Sequence, residues 1–145
     1  MAIRRIFRTV GDRWARARSS WNTRSISPLP FVRTLLEQGA DANYQDHAGF
    51  PSLIAALSSA RADRYQLVEL LLAFGADIQT RGVNDWTPLH YAGANDDLEA
   101  IELLLTHAAD PKARTRIDGC TTPLEEAEHL GGAAAARALQ RFVPR

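Results

Sequence analysis

The sequence predicts an all-α solenoid, built from stacked helix-turn-helix units joined by extended fingers. Three observations predict it. Gln38-Gly39-Ala40-Asp41, Phe74-Gly75-Ala76-Asp77 and His107-Ala108-Ala109-Asp110 align, with their Asp residues 36 and 33 positions apart. The pairs Leu35-Leu36, Leu71-Leu72 and Leu104-Leu105 repeat upstream of them at the same spacings. A second landmark, Leu53, Leu89 and Leu124, falls between the first ones at spacings of 36 and 35. Two landmarks in phase mark a repeat array. No single unit can bury its own apolar stripe, so neighbours stack into a continuous core.

The 145 residues suffice for one ordinary domain and are too few for two. Hydrophobic residues make up 46% and charged ones 23%, a globular profile. The single Cys120 excludes an internal disulfide framework and fits a reducing compartment, with the cytoplasm as the expected location. No apolar run approaches the ~18 residues of a membrane span. One Lys against sixteen Arg, with abundant Ala, fits a GC-rich and hence bacterial genome. Formal net charge is zero but unevenly placed: residues 1–24 hold seven Arg and one Asp, leaving ten basic and sixteen acidic residues in 25–145.

In residues 1–24, Ile3, Ile6, Phe7, Val10 and Trp14 follow helical spacing and Arg fills the other positions. The pattern is a basic amphipathic helix. The favoured reading is an N-terminal cap covering the open flank of the first unit, since stacked repeats require caps. The competing readings are an anionic membrane surface, an organelle transit peptide and phosphate contacts with nucleic acid.

The repeat region, 25–145, reads as a partial unit to 46 and units of about 47–82, 83–116 and 117–143. In the third unit Thr87 caps a helix that Pro88 starts with its fixed φ. Leu89, Ala92 and Gly93 keep the side facing the next unit small. Leu98, Ile101, Leu104 and Leu105 form the stripe of a second helix. Gly39 and Gly75 end the second helices in a left-handed conformation. Ala108 stands where that Gly belongs, and a positive φ there costs roughly 1 kcal/mol more than Gly. Pro51-Ser52 replaces Thr-Pro, so that cap is weaker or differently built. The second unit carries three extra residues within Ser58–Arg64, lengthening the turn between its helices. Gly119 to Pro123 has one residue more than the usual passage from finger to helix. In the last unit Glu125 and Glu126 suit a helix start, and Gly132–Phe142 is an Ala-rich terminal helix.

Thr87-Pro88-Leu89-His90-Tyr91-Ala92 at this period, followed by a Glu-rich helix, Leu-Leu and Gly-Ala-Asp, resembles the ankyrin repeat over about residues 30–143. The resemblance implies a non-enzymatic protein-binding module that uses its finger tips and the concave, exposed side of its first helices. By position, this strip contains His47, Ala48, Phe50, Ser58 and Ser59 in the second unit. It contains Val83, Asn84, Trp86, Ala94 and Asn95 in the third, and Thr121, His129 and Leu130 in the fourth. Phe50 and Trp86 each precede their unit's helix start and should be neighbours. Trp86 is either an interface anchor or packed against the adjacent finger or an Arg such as Arg81 or Arg116. Arg81, Arg114 and Arg116 place positive charge along the fingers, either for an acidic partner patch or simply solvated.

No catalytic constellation is found. His47, His90, His107 and His129 make no zinc pattern, and Cys120 has no base beside it. His90 belongs to the repeat motif, where a structural hydrogen bond is the expected role. No phosphate-binding loop is present. The expectation is a binding protein with no cofactor and no metal. A narrower expectation is a dedicated inhibitor or immunity-type protein that blocks one enzyme or toxin. The rival is attachment to a membrane surface or nucleic acid through residues 1–24, with the repeats as scaffold; nucleic acid is not the favoured partner, and membrane contact would run only through that segment.

Overall fold

The computed structural model describes residues 29–45, 49–117 and 119–143. The basic helix expected in residues 1–24 lies outside them. The described residues form seven helices and no strand: α1 Leu29–Glu37, α2 Ser52–Leu57, α3 Arg64–Ala73, α4 Pro88–Ala94, α5 Leu98–Thr106, α6 Pro123–His129 and α7 Ala133–Gln140. The all-α repeat architecture is as expected. Helices pair within a unit, α2 with α3, α4 with α5 and α6 with α7. First helices stack as α2, α4, α6 and second helices as α3, α5, α7. One core runs through all of them, from Val32 and Leu36 through Leu53, Leu67, Leu89, Ile101 and Leu104 to Leu139.

The recurring landmarks have local causes. Helices α1, α3 and α5 end in the same pair of bonds. Ala40, Ala76 and Ala109 donate N–H to the carbonyls of Leu35, Leu71 and Leu104, while Gly39, Gly75 and Ala108 donate to Leu36, Leu72 and Leu105. That is the Schellman closure, and it needs a left-handed residue at its centre. Gly39 and Gly75 have φ of 91° and 87°, and Ala108 holds 64°. The Asp that follows is equally functional in the turn. Asp41, Asp77 and Asp110 each accept a backbone N–H two residues on, from Asn43 (2.8 Å), Gln79 (2.8 Å) and Lys112 (2.9 Å). These Asx turns direct the chain out of the helix and toward the finger.

The departures from the repeat are resolved in the same terms. Six residues, 58–63, separate α2 from α3, against three between α4 and α5. The extra residues therefore lengthen the inter-helix turn. The second unit's cap is differently built: α2 has no side-chain cap, and Ser52 donates both its N–H (2.9 Å) and its hydroxyl (2.8 Å) to the Tyr44 carbonyl. Gln45 and Pro51 form an antiparallel bridge across that finger. Gly93 sits where α4 meets the fourth unit. A Cβ there would lie 3.0 Å from the Pro123 carbonyl oxygen and 3.5 Å from Ala127 Cβ.

Ala108 is exposed and strained by its positive φ, so Ala108→Gly should raise the melting temperature by a few degrees, corresponding to about 1 kcal/mol. Gly93→Val should lower stability by roughly 1–3 kcal/mol in urea titration, because its branched side chain meets backbone that cannot retreat. A neutral Ala108→Gly or a tolerated Gly93→Val contradicts these backbone assignments.

Candidate functional site

The third unit's finger is fixed by a cluster of hydrogen bonds and ion pairs. Counting four residues back from each landmark Leu gives Gly49, Asp85 and Cys120, and all three have positive φ: 78°, 57° and 54°. Asp85 thus occupies a position suited to Gly, and its side chain is largely buried. Its carboxylate accepts from Arg81 Nη1 (2.8 Å), from the Arg116 backbone N–H (2.6 Å) and from the Arg116 guanidinium. The Arg116 guanidinium, with help from its backbone N–H and Arg81, holds the Asp85 carboxyl far below the usual carboxylate range. Arg81 also donates to the carbonyls of Asp85 and Arg114, both at 3.0 Å. Arg114 in turn reaches the Cys120 carbonyl and Glu125. Arg81 and Arg116 therefore tie successive fingers together, and Arg114 ties its own finger to α6.

Behind the finger, His90 joins the third unit to the fourth. Its Nδ1 lies 3.2 Å from the Thr87 N–H and 2.8 Å from the Thr87 hydroxyl, closing a capping box at the start of α4. With Nδ1 accepting, Nε2 carries the proton and donates to the Thr121 carbonyl at 3.0 Å. The ring is fully buried, and desolvation pushes its pKa below the ordinary 6.5. The fourth unit repeats the cap with Thr122 and Glu125: Glu125 Oε2 accepts the Thr122 N–H at 2.7 Å. His90 is thus structural, as its place in the motif implies.

On the same side of the stack lies a cleft of about 890 Å³. Its walls come from the end of α2, the long turn before α3, the first turns of α3 and α5, and the end of α4. Trp86 and Tyr91 line it with ring centroids 5.1 Å apart, edge to face at 75°. Opposite them, Tyr65 donates to Asp97 Oδ1 (2.7 Å), while Arg64 donates to the Tyr65 hydroxyl (2.6 Å) and to Asp97 Oδ2 (2.9 Å). Asp97 also caps α5 by accepting the Ala100 N–H at 3.1 Å. Burial raises the pKa of both Tyr65 and Tyr91. The lengthened turn delivers Arg64 and Tyr65 to this place, and Asp97 of the following unit receives them.

The positions named from the sequence divide into groups. Ser58, Trp86, Ala94 and Asn95 all line the cleft, as do Ser59 and Leu130. Trp86 is half-buried against Tyr91 rather than standing free. Val83 and Asn84 are exposed at the finger tip, with Val83 Cγ2 lying 3.7 Å from where a Cβ on Gly49 would project. Phe50 is half-buried on the neighbouring finger. Arg81 and Arg116 face Asp85, although the Arg116 side chain stays largely exposed. Thr121, placed on the strip by position, is in fact buried, donating its N–H to Thr115 Oγ1 and its hydroxyl to Glu126. His47 and Ala48 lie outside the described residues. Tyr65, Tyr91, Asp97 and Glu99 were missed by sequence reasoning. The available signal was the extra turn residues together with an Asp one unit further on. Among the described residues no cluster of three or more His, Cys, Asp or Glu could hold a metal ion, and no helix is long and apolar enough to cross a membrane.

A stack of helix pairs with Schellman-closed second helices, Thr-Pro caps and outward fingers defines a class of repeat protein that presents a preformed surface. Comparison with known proteins agrees: the family model for ankyrin repeats in three copies matches residues 25–115. The chain belongs to the ankyrin-repeat family, whose repeats are protein-interaction modules. Curated relatives include the BCL-6 corepressor-like protein 1 of Homo sapiens, 36% identical over 56% of this chain and 4% of that protein. An ankyrin repeat protein of fowlpox virus is 38% identical over 68% of this chain and 28% of its own length. The RelA-associated inhibitor of Mus musculus is 27% identical over 83% of this chain and 15% of its own. The chain thus spans less than a third of each of these relatives.

Because His90 is held neutral, the unfolded chain takes up a proton first as pH falls below about 6.5, and folding stability declines with it. Urea titrations between pH 7.5 and 5.5 should show this loss. His90→Gln, whose amide oxygen still serves the Thr87 N–H, should flatten the slope. Asp85→Asn keeps a residue tolerant of positive φ but removes the charge, and should lower the melting temperature; an unchanged value would mean the finger ion pairs hold nothing.

Proposed function

We propose that this chain is a non-enzymatic module that binds another protein through its finger tips and the concave face of its first helices. Its role is that of a dedicated cytoplasmic inhibitor or immunity-type protein. The observation that supports the reading most is the convergence of Ser58, Trp86, Ala94 and Asn95 on one cleft. They are strip positions that the ankyrin resemblance implies, and they come from two successive units. A half-buried Trp beside a rigid finger suits an anchor, since such residues carry much of the affinity in interfaces. A relative named as an inhibitor and another named as a corepressor are in keeping with it.

The amino-terminal segment supports a second reading. Its excess of six positive charges suits a membrane surface or nucleic acid, with the repeats as scaffold.

Affinity purification from source-cell extract with the full chain, followed by mass spectrometry, tests both. The first reading expects one stoichiometric protein partner. Trp86→Ala should weaken its capture at least tenfold while leaving the helical circular dichroism intact. Retained affinity in Trp86→Ala places the interface elsewhere. Capture of lipid or nucleic acid alone, lost at high salt, gives the function to residues 1–24.

A further inference from the structure

We propose that the cleft beside the long α2–α3 turn receives a Lys or Arg side chain of the partner protein, carried on a segment with apolar residues to either side. This deepens the protein-binding reading above and rests on it. The chemistry of the walls selects the occupant. Three aromatic rings, Tyr65, Trp86 and Tyr91, line one cavity with three carboxylates, Asp96, Asp97 and Glu99. The cation already present, Arg64, is occupied by Asp97 and the Tyr65 hydroxyl and lies at 4.7 Å over the Tyr65 ring. Asp97 is in turn committed to Arg64, Tyr65 and the α5 cap. Asp96 uses one oxygen to accept the Ala135 N–H at 2.7 Å. Glu99 is exposed and makes no hydrogen bond or ion pair among the described residues.

Negative charge therefore remains after every internal pairing, in a cavity whose aromatic faces attract cations. An acidic segment would meet repulsion from Asp96 and Glu99. Leu98 and Leu130, 42% and 56% exposed, stand at the edges of the same cleft and supply apolar contact for the residues flanking the cation. Within this chain the arrangement is particular to the second unit, whose long turn leads directly into Arg64 and Tyr65.

The test is a nuclear magnetic resonance titration of the isotope-labelled full chain with three blocked tripeptides: acetyl-Leu-Arg-Leu-amide and its counterparts with citrulline or Glu in the centre. The Arg peptide should shift the Trp86 indole and the Leu98 and Glu99 amides, with citrulline and Glu weaker by fivefold or more. Glu99→Lys should weaken the Arg peptide at least fivefold, whereas the same charge reversal outside the cleft, Glu37→Lys at the end of α1, should leave it unchanged. Equal response to the Glu peptide, no response to the Arg peptide, or indifference to Glu99→Lys overturns the proposal. Movement of the same signals on adding salt alone would place a basic segment of this chain in the cleft, and movement on dilution would place a second copy there. Either also overturns it. A partner captured by the full chain that is lost in Trp86→Ala yet kept in Glu99→Lys would leave the module reading standing and remove only this inference.

Discussion

The stack depends on how closely one unit approaches the next, and Gly93 sets that distance between the third and fourth units. Its missing side chain lets α4 rest against the Pro123 carbonyl and Ala127. Only at that separation does His90 Nε2 reach the Thr121 carbonyl, and only then does the fourth unit's cap start where the third unit's core ends. The hydrogen bond is worth making because both groups are buried and would otherwise lose water without replacement. Close approach, a satisfied imidazole and a continuous apolar core are consequences of one another. The fully buried Leu89, Ile101, Leu104 and Leu139 share the resulting interior.

The fingers obey a different logic. They have little apolar surface to bury, so charge fixes them. Asp85 adopts a left-handed backbone that glycine would take more cheaply, and its carboxylate gathers two guanidinium groups from successive fingers. The result is a stiff edge beside the cleft. A surface that is rigid before binding loses less entropy when a partner docks.

The sequence announces the fold well because the period, the Leu-Leu pairs and the Asp after each helix all act locally. Schellman bonds and Asx turns lie within six residues, and a linear reading reaches that far. The backbone strain at Ala108 was legible for the same reason. The candidate site was legible only in part. Repeat register located Ser58, Trp86, Ala94 and Asn95, but it could not say that Arg81 and Arg116 turn toward Asp85, since Arg116 lies 31 residues beyond it. Nor could it show that Thr121 is buried by its bonds to Thr115 and Glu126. The aromatic and acidic wall opposite Trp86 required knowing where the long turn goes. That depends on Asp97, 33 residues after Arg64.

The bonds between units have a consequence for how the chain acquires its shape. Asn43 with Asp77, Arg64 with Asp97, His90 with Thr121 and Asp96 with Ala135 join residues 34, 33, 31 and 39 apart. Each such contact closes a loop of about one unit, and the closure entropy of such loops is modest. The topology is one of low contact order, in which any adjacent pair of units can nucleate and the others add by zippering. The search for the native state is thereby broken into short steps, and none of these joints requires distant ends of the polypeptide to find each other.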